Sequence, residues 1–324
     1  MEKSIIMKKA KWLSLIALLL QIVVYVISYF IRHHQASILS EFGTDVYTIG
    51  DYSYYIPGGT ILILIAFLVA FVGMAIMKKP HIIFAVLFAV LVGLIYILHS
   101  YDFFSPHDYS LLFNYDFWTS YSRLKRCFDS YAGFPIVLSV AFFYMAIGMI
   151  IGGRYEFKNK VKGVSFKISA ILMFIIILVK IVLNFNQKSI AAKIGILNMK
   201  EIEPWPVFGL LDSSIPLCLL IIIVMTILAN RISKKEGLFA VLIAILTTIV
   251  VRAESLMSSF NYQILENCVS DREAFVITQV NYYIDKYTLW FFNISLILFF
   301  VGLGINYACS LKNSLNNKAA ESVQ

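Results

Sequence analysis

Residues 134–152 read FPIVLSVAFFYMAIGMIIG, nineteen positions without a charged side chain. Wound as an α-helix, the stretch is about 28 Å long, close to the roughly 30 Å of hydrocarbon in a bilayer. Its only proline, Pro135, stands at the edge, where a helix tolerates it. Working outward with the same ruler finds 81–98, 59–77 and 12–31 on one side. On the other it finds 165–184, 213–230, 237–256 and 287–307. The sequence therefore predicts an all-α polytopic membrane protein with eight transmembrane helices. Composition points the same way: of 324 residues, 60% are hydrophobic and 14% charged, with a mean hydropathy of +0.81. Soluble domains hold about 45–50% apolar and about 25% charged residues. Lys8, Lys9 and Lys11 precede the first segment, as in a signal peptide. Its apolar run is too long for one, and Arg32-His33-His34 follows where a small-x-small cleavage site would stand, so it reads as a retained anchor.

The net charge of +8 could suggest nucleic acid, but the basic residues sit in short segments between apolar runs and no nucleic-acid motif accompanies them. They set topology. The N-terminus, the turns near 78–80, 153–164 and 231–236, the C-terminus and Lys167 together carry 16 basic and 4 acidic residues. The other side carries 11 and 15 over more than twice the length. Lysine and arginine in short loops mark the cytoplasmic face, so a cell-membrane protein with both termini in the cytoplasm is expected.

The sequence also repeats. Residues 84–91 (FAVLFAVL) match 239–246 (FAVLIAIL) at six of eight positions, 155 apart. The same offset, without a gap, lays the first four segments on the last four, Lys79 on Lys234 and Ser14 on Ser169. This predicts two halves, 1–155 and 156–324, the second ending in a short cytoplasmic tail. Four spans per half give both halves one orientation, related by a pseudo-twofold along the membrane normal. Small residues every fourth position (Ala85, Ala89, Gly93 and Ala240, Ala244, Thr248) suit close helix approach and place spans three and seven at the central seam. Gly148 and Gly152 form a GxxxG of the same kind.

The four outer connections are roughly 27–35 residues long and carry their own patterns. Phe113, Phe117, Tyr121, Leu124, Phe128 and Tyr131 recur at helical spacing after Ser105-Pro106, which predicts an interfacial amphipathic helix ended by Gly133. Ser270-Asp271-Arg272-Glu273 is a capping box for a helix leading toward the eighth span. Trp205 and the Tyr52, Tyr54, Tyr55 cluster fit an aromatic belt. Cys127 and Cys268 lie in outer loops of different halves, so a disulfide joining the halves is an expectation; Cys218 and Cys309 read as fillers.

Chemistry is sparse. His99, Asp102, His107 and Asp108 fall within ten residues and are the candidate metal ligands by residue type, although their spacing fits no established motif. Lys180 lies near the outer end of its span, where it can snorkel. Arg252 and Glu254 lie at the outer end of span seven, and the 155-residue offset places Glu254 on His99. The set His99, Asp102, Arg252 and Glu254 is thus the candidate polar site. No HExxH, GxSxG, Walker A, CxxC or membrane-depth aspartate pair is present, and no cofactor is expected. The first functional expectation is a permease, or the membrane subunit of a transport system for a small or amphipathic solute, served by a separate ATPase or other membrane subunit. The alternatives are a non-catalytic sensor, immunity or assembly protein binding through its aromatic outer loops, and a membrane-embedded enzyme acting on lipid or cell-wall precursors.

Overall fold

The structure is a computed structural model; it describes residues 2–41, 63–78, 82–100, 115–155, 164–185, 238, 240–247 and 271–321. Among these residues the chain is entirely helical. The helices are α1 (Glu2–Glu41), α2 (Ile63–Ile76), α3 (Ile82–Ser100), α4 (Tyr115–Arg154), α5 (Val164–Phe185), α6 (240–247) and α7 (Asp271–Glu321). Three contain stretches long and apolar enough to cross a membrane: Lys3–Ile27 in α1, Phe134–Arg154 in α4 and Phe291–Asn317 in α7. Shorter apolar stretches are Ile63–Ile76, Ile82–Leu94 and Ser165–Val179. The expected sixth span, 213–230, lies outside the described residues.

The inward and outward faces of α1 and α3 are both largely apolar, and in α3 they differ in side-chain size. In α3 the small Ala85 and Ala89 are buried, while Ile83, Phe84, Leu87 and Leu94 point outward. In α1 Ala10, Ser14, Ala17, Leu18 and Gln21 face inward at three- and four-residue steps, and Trp12, Ile16, Leu19, Val23 and Ile27 face out. An outward apolar face this extensive suits lipid and would aggregate in water. Lipid removes the hydrophobic drive for helix association, so the inward faces hold together by close packing and hydrogen bonds.

α4 is the central post: 72% of its apolar segment is buried, against 39% and 44% for those of α1 and α7. α1 lies antiparallel to it, with Ser139 Oγ donating to the Ala17 carbonyl at 2.7 Å and Gln21 Nε2 to that of Ile136 at 3.3 Å. α2 runs back along α1, with Tyr25 and Phe67 in ring contact at 5.5 Å. At its C-terminal end, Lys11 Nζ donates to the carbonyls of Ala75 at 2.8 Å and Met77 at 2.7 Å. That ammonium satisfies carbonyls a helix end leaves open, at the negative end of its dipole. α5 lies antiparallel to α7 through Ser165, Ser169 and Ser295, and α7 runs parallel to α4.

These directions gather the start of α1, the end of α2, the start of α3, the end of α4, the start of α5 and the end of α7 at one end of the bundle. Lys9 Nζ lies 5.9 Å from the centre of the Tyr307 ring there. At the opposite end three helices continue past the apolar runs of the sequence: α1 runs beyond 31 to Glu41, α4 begins at Tyr115 before 134, and α7 begins at Asp271 before 287, about 15, 29 and 24 Å of helix.

Two expectations need correction. Gly133 does not end an interfacial helix: α4 runs unbroken through Gly133 and Pro135. The proline removes one backbone donor, a modest loss at the edge of the apolar stretch. Past residue 307, α7 continues as helix to Glu321. The closest crossing among the described helices joins α4 to α7, spans four and eight, and not spans three and seven. Gly93 in α3 instead faces the Tyr144 hydroxyl of α4, which donates to the Ala89 carbonyl.

The last contact yields a prediction. Gly93→Ala directs a methyl at the Tyr144 oxygen and should cost about 1–3 kcal/mol. Adding Tyr144→Phe removes that oxygen. In thermal unfolding in detergent the double variant should be more stable than Gly93→Ala alone; equal or lower stability contradicts the contact.

Candidate functional site

The functional geometry that can be described lies in the membrane part of the bundle, at the crossing of α4 and α7. A Cβ built on Gly148 would strike the backbone of Val301, with the Gly304 Cα 2.9 Å away. One built on Gly304 would strike the Met145 carbonyl, with the Met149 nitrogen at 2.8 Å. One turn on, Gly152 faces Ala308 and Ile305, where a Cβ would lie 2.9 Å from the Ala308 Cβ. The two helices thus touch backbone to backbone. Phe143, Phe299 and Phe300 seal the flanks, all buried, and the ring centres of Phe299 and Phe300 are 5.9 Å apart.

Hydroxyls lock the helices on either side. Ser139 bonds α4 to α1. Ser169 and Ser295 clasp α5 to α7: Ser169 Oγ donates to the Ser295 carbonyl at 2.8 Å, Ser295 Oγ donates to the Ser169 carbonyl at 2.7 Å, and the two oxygens are 2.9 Å apart. Ser14 bonds within its own helix, to the Lys11 carbonyl. These hydroxyls serve backbone carbonyls, and among the described residues no imidazole or carboxylate bonds to them.

Among the described residues the buried polar ones are Ser14, Gln21, Ser139, Ser169, Thr247, Asn293 and Ser295, none of them ionisable. Two are orphans: Thr247 Oγ1 and Asn293 Nδ2 have no hydrogen-bond partner among the described residues, with Thr247 1% and Asn293 2% exposed. Among the described residues no group of three or more His, Cys, Asp or Glu side chains could hold a metal ion, and Cys309 is a buried free thiol.

Of the residues singled out by sequence, Ala85, Ala89, Gly93, Gly148, Gly152, Ala240 and Ala244 are buried. Gly148 and Gly152 meet α7, and Ala89 and Gly93 meet α4 through Tyr144. Asp102, His107, Asp108, Thr248, Arg252, Glu254 and Cys268 lie outside the described residues, as do the side chains of His99 and Cys127. The α7 half of the seam was missed. A shared pattern could have revealed it, because Ser-x3-Phe-x4-Gly-x3-small occurs at Ser139, Phe143, Gly148, Gly152 and again at Ser295, Phe299, Gly304, Ala308.

That pattern has offset 156. The buried faces elsewhere correspond at other offsets: Ala85, Ala89, Val92 with Ala240, Ala244, Thr247 at 155, and Ser14, Ala17, Gln21, Val24, Tyr25 with Phe166, Ser169, Met173, Ile176, Ile177 at 152. These buried positions of α1 and α5, α3 and α6, and α4 and α7 thus correspond at three offsets, where the sequence reading used a single gapless one. No family model, curated protein or solved structure matches this chain.

Proposed function

We propose that the chain is an eight-span cell-membrane protein of two tandem four-helix halves, with both termini cytoplasmic, that works by binding at its outer side and carries out no catalysis. The duplication is supported by the matched buried faces. It is supported too by the equivalent pairings α1 with α4 and α5 with α7. Orientation is supported by Lys3, Lys8, Lys9, Lys11, Lys78, Arg154, Lys167 and Lys312, which all belong to the end of the bundle where the N-terminus lies.

One observation carries the binding reading. α4 and α7 touch backbone to backbone at Gly148 and Gly304; on the two-half reading that contact lies between the halves, and a backbone crossing leaves no room there for a pore. The apolar stretches of the described helices carry ionisable groups only toward their ends, so they offer no proton relay or charged path of the sort that marks pumps and carriers. The three helical extensions past the opposite end supply scaffold for an outer binding surface.

Transport remains the second reading, favoured by a specific observation: the orphan polar atoms of Thr247 and Asn293. A passage within one half, driven by a separate ATPase or other subunit, would use such groups. Proteoliposome flux separates the two. The purified chain should leave permeability to ions, amino acids and polyols at the level of protein-free vesicles. Saturable uptake of any of these solutes, lost in Asn293→Val, would overturn the binding reading in favour of transport.

A further inference from the structure

We infer that the lysine-bearing end of α1 is a binding site for an anionic phospholipid, whose headgroup sits at Lys8 and Lys9 and whose acyl chain lies along the outward face of the same helix. This goes beyond the binding reading and is independent of it. It rests only on membrane location, which the three span-length helices support.

The residues follow the anatomy of such a lipid. Lys8 and Lys9 are exposed at the end of the bundle. Trp12, 59% exposed, comes one turn later, and the outward face continues through Ile16, Leu19 and Val23, all about half exposed. Charge, then an amphipathic ring, then aliphatic side chains on one helix face is the order of phosphate, glycerol and hydrocarbon in a leaflet. Lys9 is held in place, its ammonium over the Tyr307 ring of α7.

Charge complementarity selects an anionic occupant. This side of the sequence carries 16 basic and 4 acidic residues, and Lys312 of α7 adds its ammonium at the end of α4, where it donates to the Tyr155 carbonyl at 3.4 Å. Cations carried by α1 and α7 at the same end of an apolar bundle give the basic character that attracts acidic headgroups. A zwitterionic lipid would bring its own cation and gain little.

The test uses the purified full chain in neutral detergent, titrated with phosphatidylglycerol, phosphatidylcholine or inorganic phosphate and followed by thermal unfolding. Phosphatidylglycerol should raise the midpoint and phosphatidylcholine should not. Each lysine should contribute about five-fold to the apparent affinity, so Lys8→Gln with Lys9→Gln should weaken it by about 25-fold, while Lys78→Gln leaves it within two-fold or so. Equal shifts with both lipids, or a wild-type response from the Lys8/Lys9 variant, overturn the site. A full shift from inorganic phosphate alone makes it a phosphate site and overturns the lipid. A midpoint that follows protein concentration and ignores lipid charge makes it a contact between copies and overturns it as well. Should the double variant fold poorly, brominated phosphatidylglycerol decides in its place. It should quench a component of tryptophan fluorescence that Trp12→Phe removes, and brominated phosphatidylcholine should quench that component less; equal quenching refutes the site.

Discussion

Gly148→Leu is expected to cost about 3 kcal/mol or more of stability, the largest loss from any single substitution in the bundle. The reason is the nature of the neighbour. A Cβ at Gly148 meets the Val301 backbone, and a backbone inside a helix cannot swing aside as a side-chain tip can. To make room α4 and α7 must separate, which strips dispersion contacts from Phe143, Phe299 and Leu303 together. Gly304→Leu should act alike, because its Cβ meets the Met145 carbonyl of the facing helix. Combining the two should cost much less than twice either one, since the first substitution already opens the seam. Unfolding in a detergent titration series measures all three. Additive costs, or a Gly148→Leu protein as stable as wild type, would mean that the helices do not cross there.

The second large effect concerns the serine clasp. Ser295→Ala removes the bond to the Ser169 carbonyl and the contact between the two hydroxyls, and should cost about 1–2 kcal/mol. Ser139→Ala, at the corresponding position of α4, removes a single bond to the Ala17 carbonyl and should cost about 0.6 kcal/mol. The prediction is the ranking, measured in the same detergent series. Equal losses at the two positions would show that the clasp adds nothing beyond one hydroxyl bond.

Apolar length was legible because lipid imposes it: the stretches in α1, α4 and α7 announce themselves by composition and by the absence of charge at their centres. Helix partners were harder to read. Every face of α3 is apolar, so hydropathy cannot separate the inward Ala89 from the outward Phe84; only size does, and size tells which face packs without naming its neighbour. Reading small residues as the seam located a packing face on α3. What the spacing could not show is that the large Tyr144 of α4 fills that face, leaving α7 to meet α4 at glycines.

The repeat reading rests on the offset of 155, visible where FAVL recurs; the buried positions of α1 and α5 correspond at 152 and those of α4 and α7 at 156. A rigid comparison therefore lays Ser14 on Ser169, while the buried faces lay Ala17 there. The helix end expected at Gly133 is absent because a long helix anchored by packing over its second half overrides the low helix propensity of glycine. The polar set around His99 and Arg252 depends on outer segments outside the described residues, and the orphans Thr247 and Asn293 escaped notice because single polar residues in apolar runs look like noise until their partners are counted.

The closed seam is tested most directly by a disulfide across it. In a chain whose native cysteines are replaced, Gly152→Cys and Ala308→Cys place two thiols where the Cβ atoms would be 2.9 Å apart, within about 1 Å of disulfide geometry. A protease site in the 156–163 connection then allows the halves to be cut. Mild oxidation before cleavage should leave them joined on a non-reducing gel and let them part with reductant. Halves that separate without reductant, with both thiols still open to labelling, would contradict the crossing of α4 on α7.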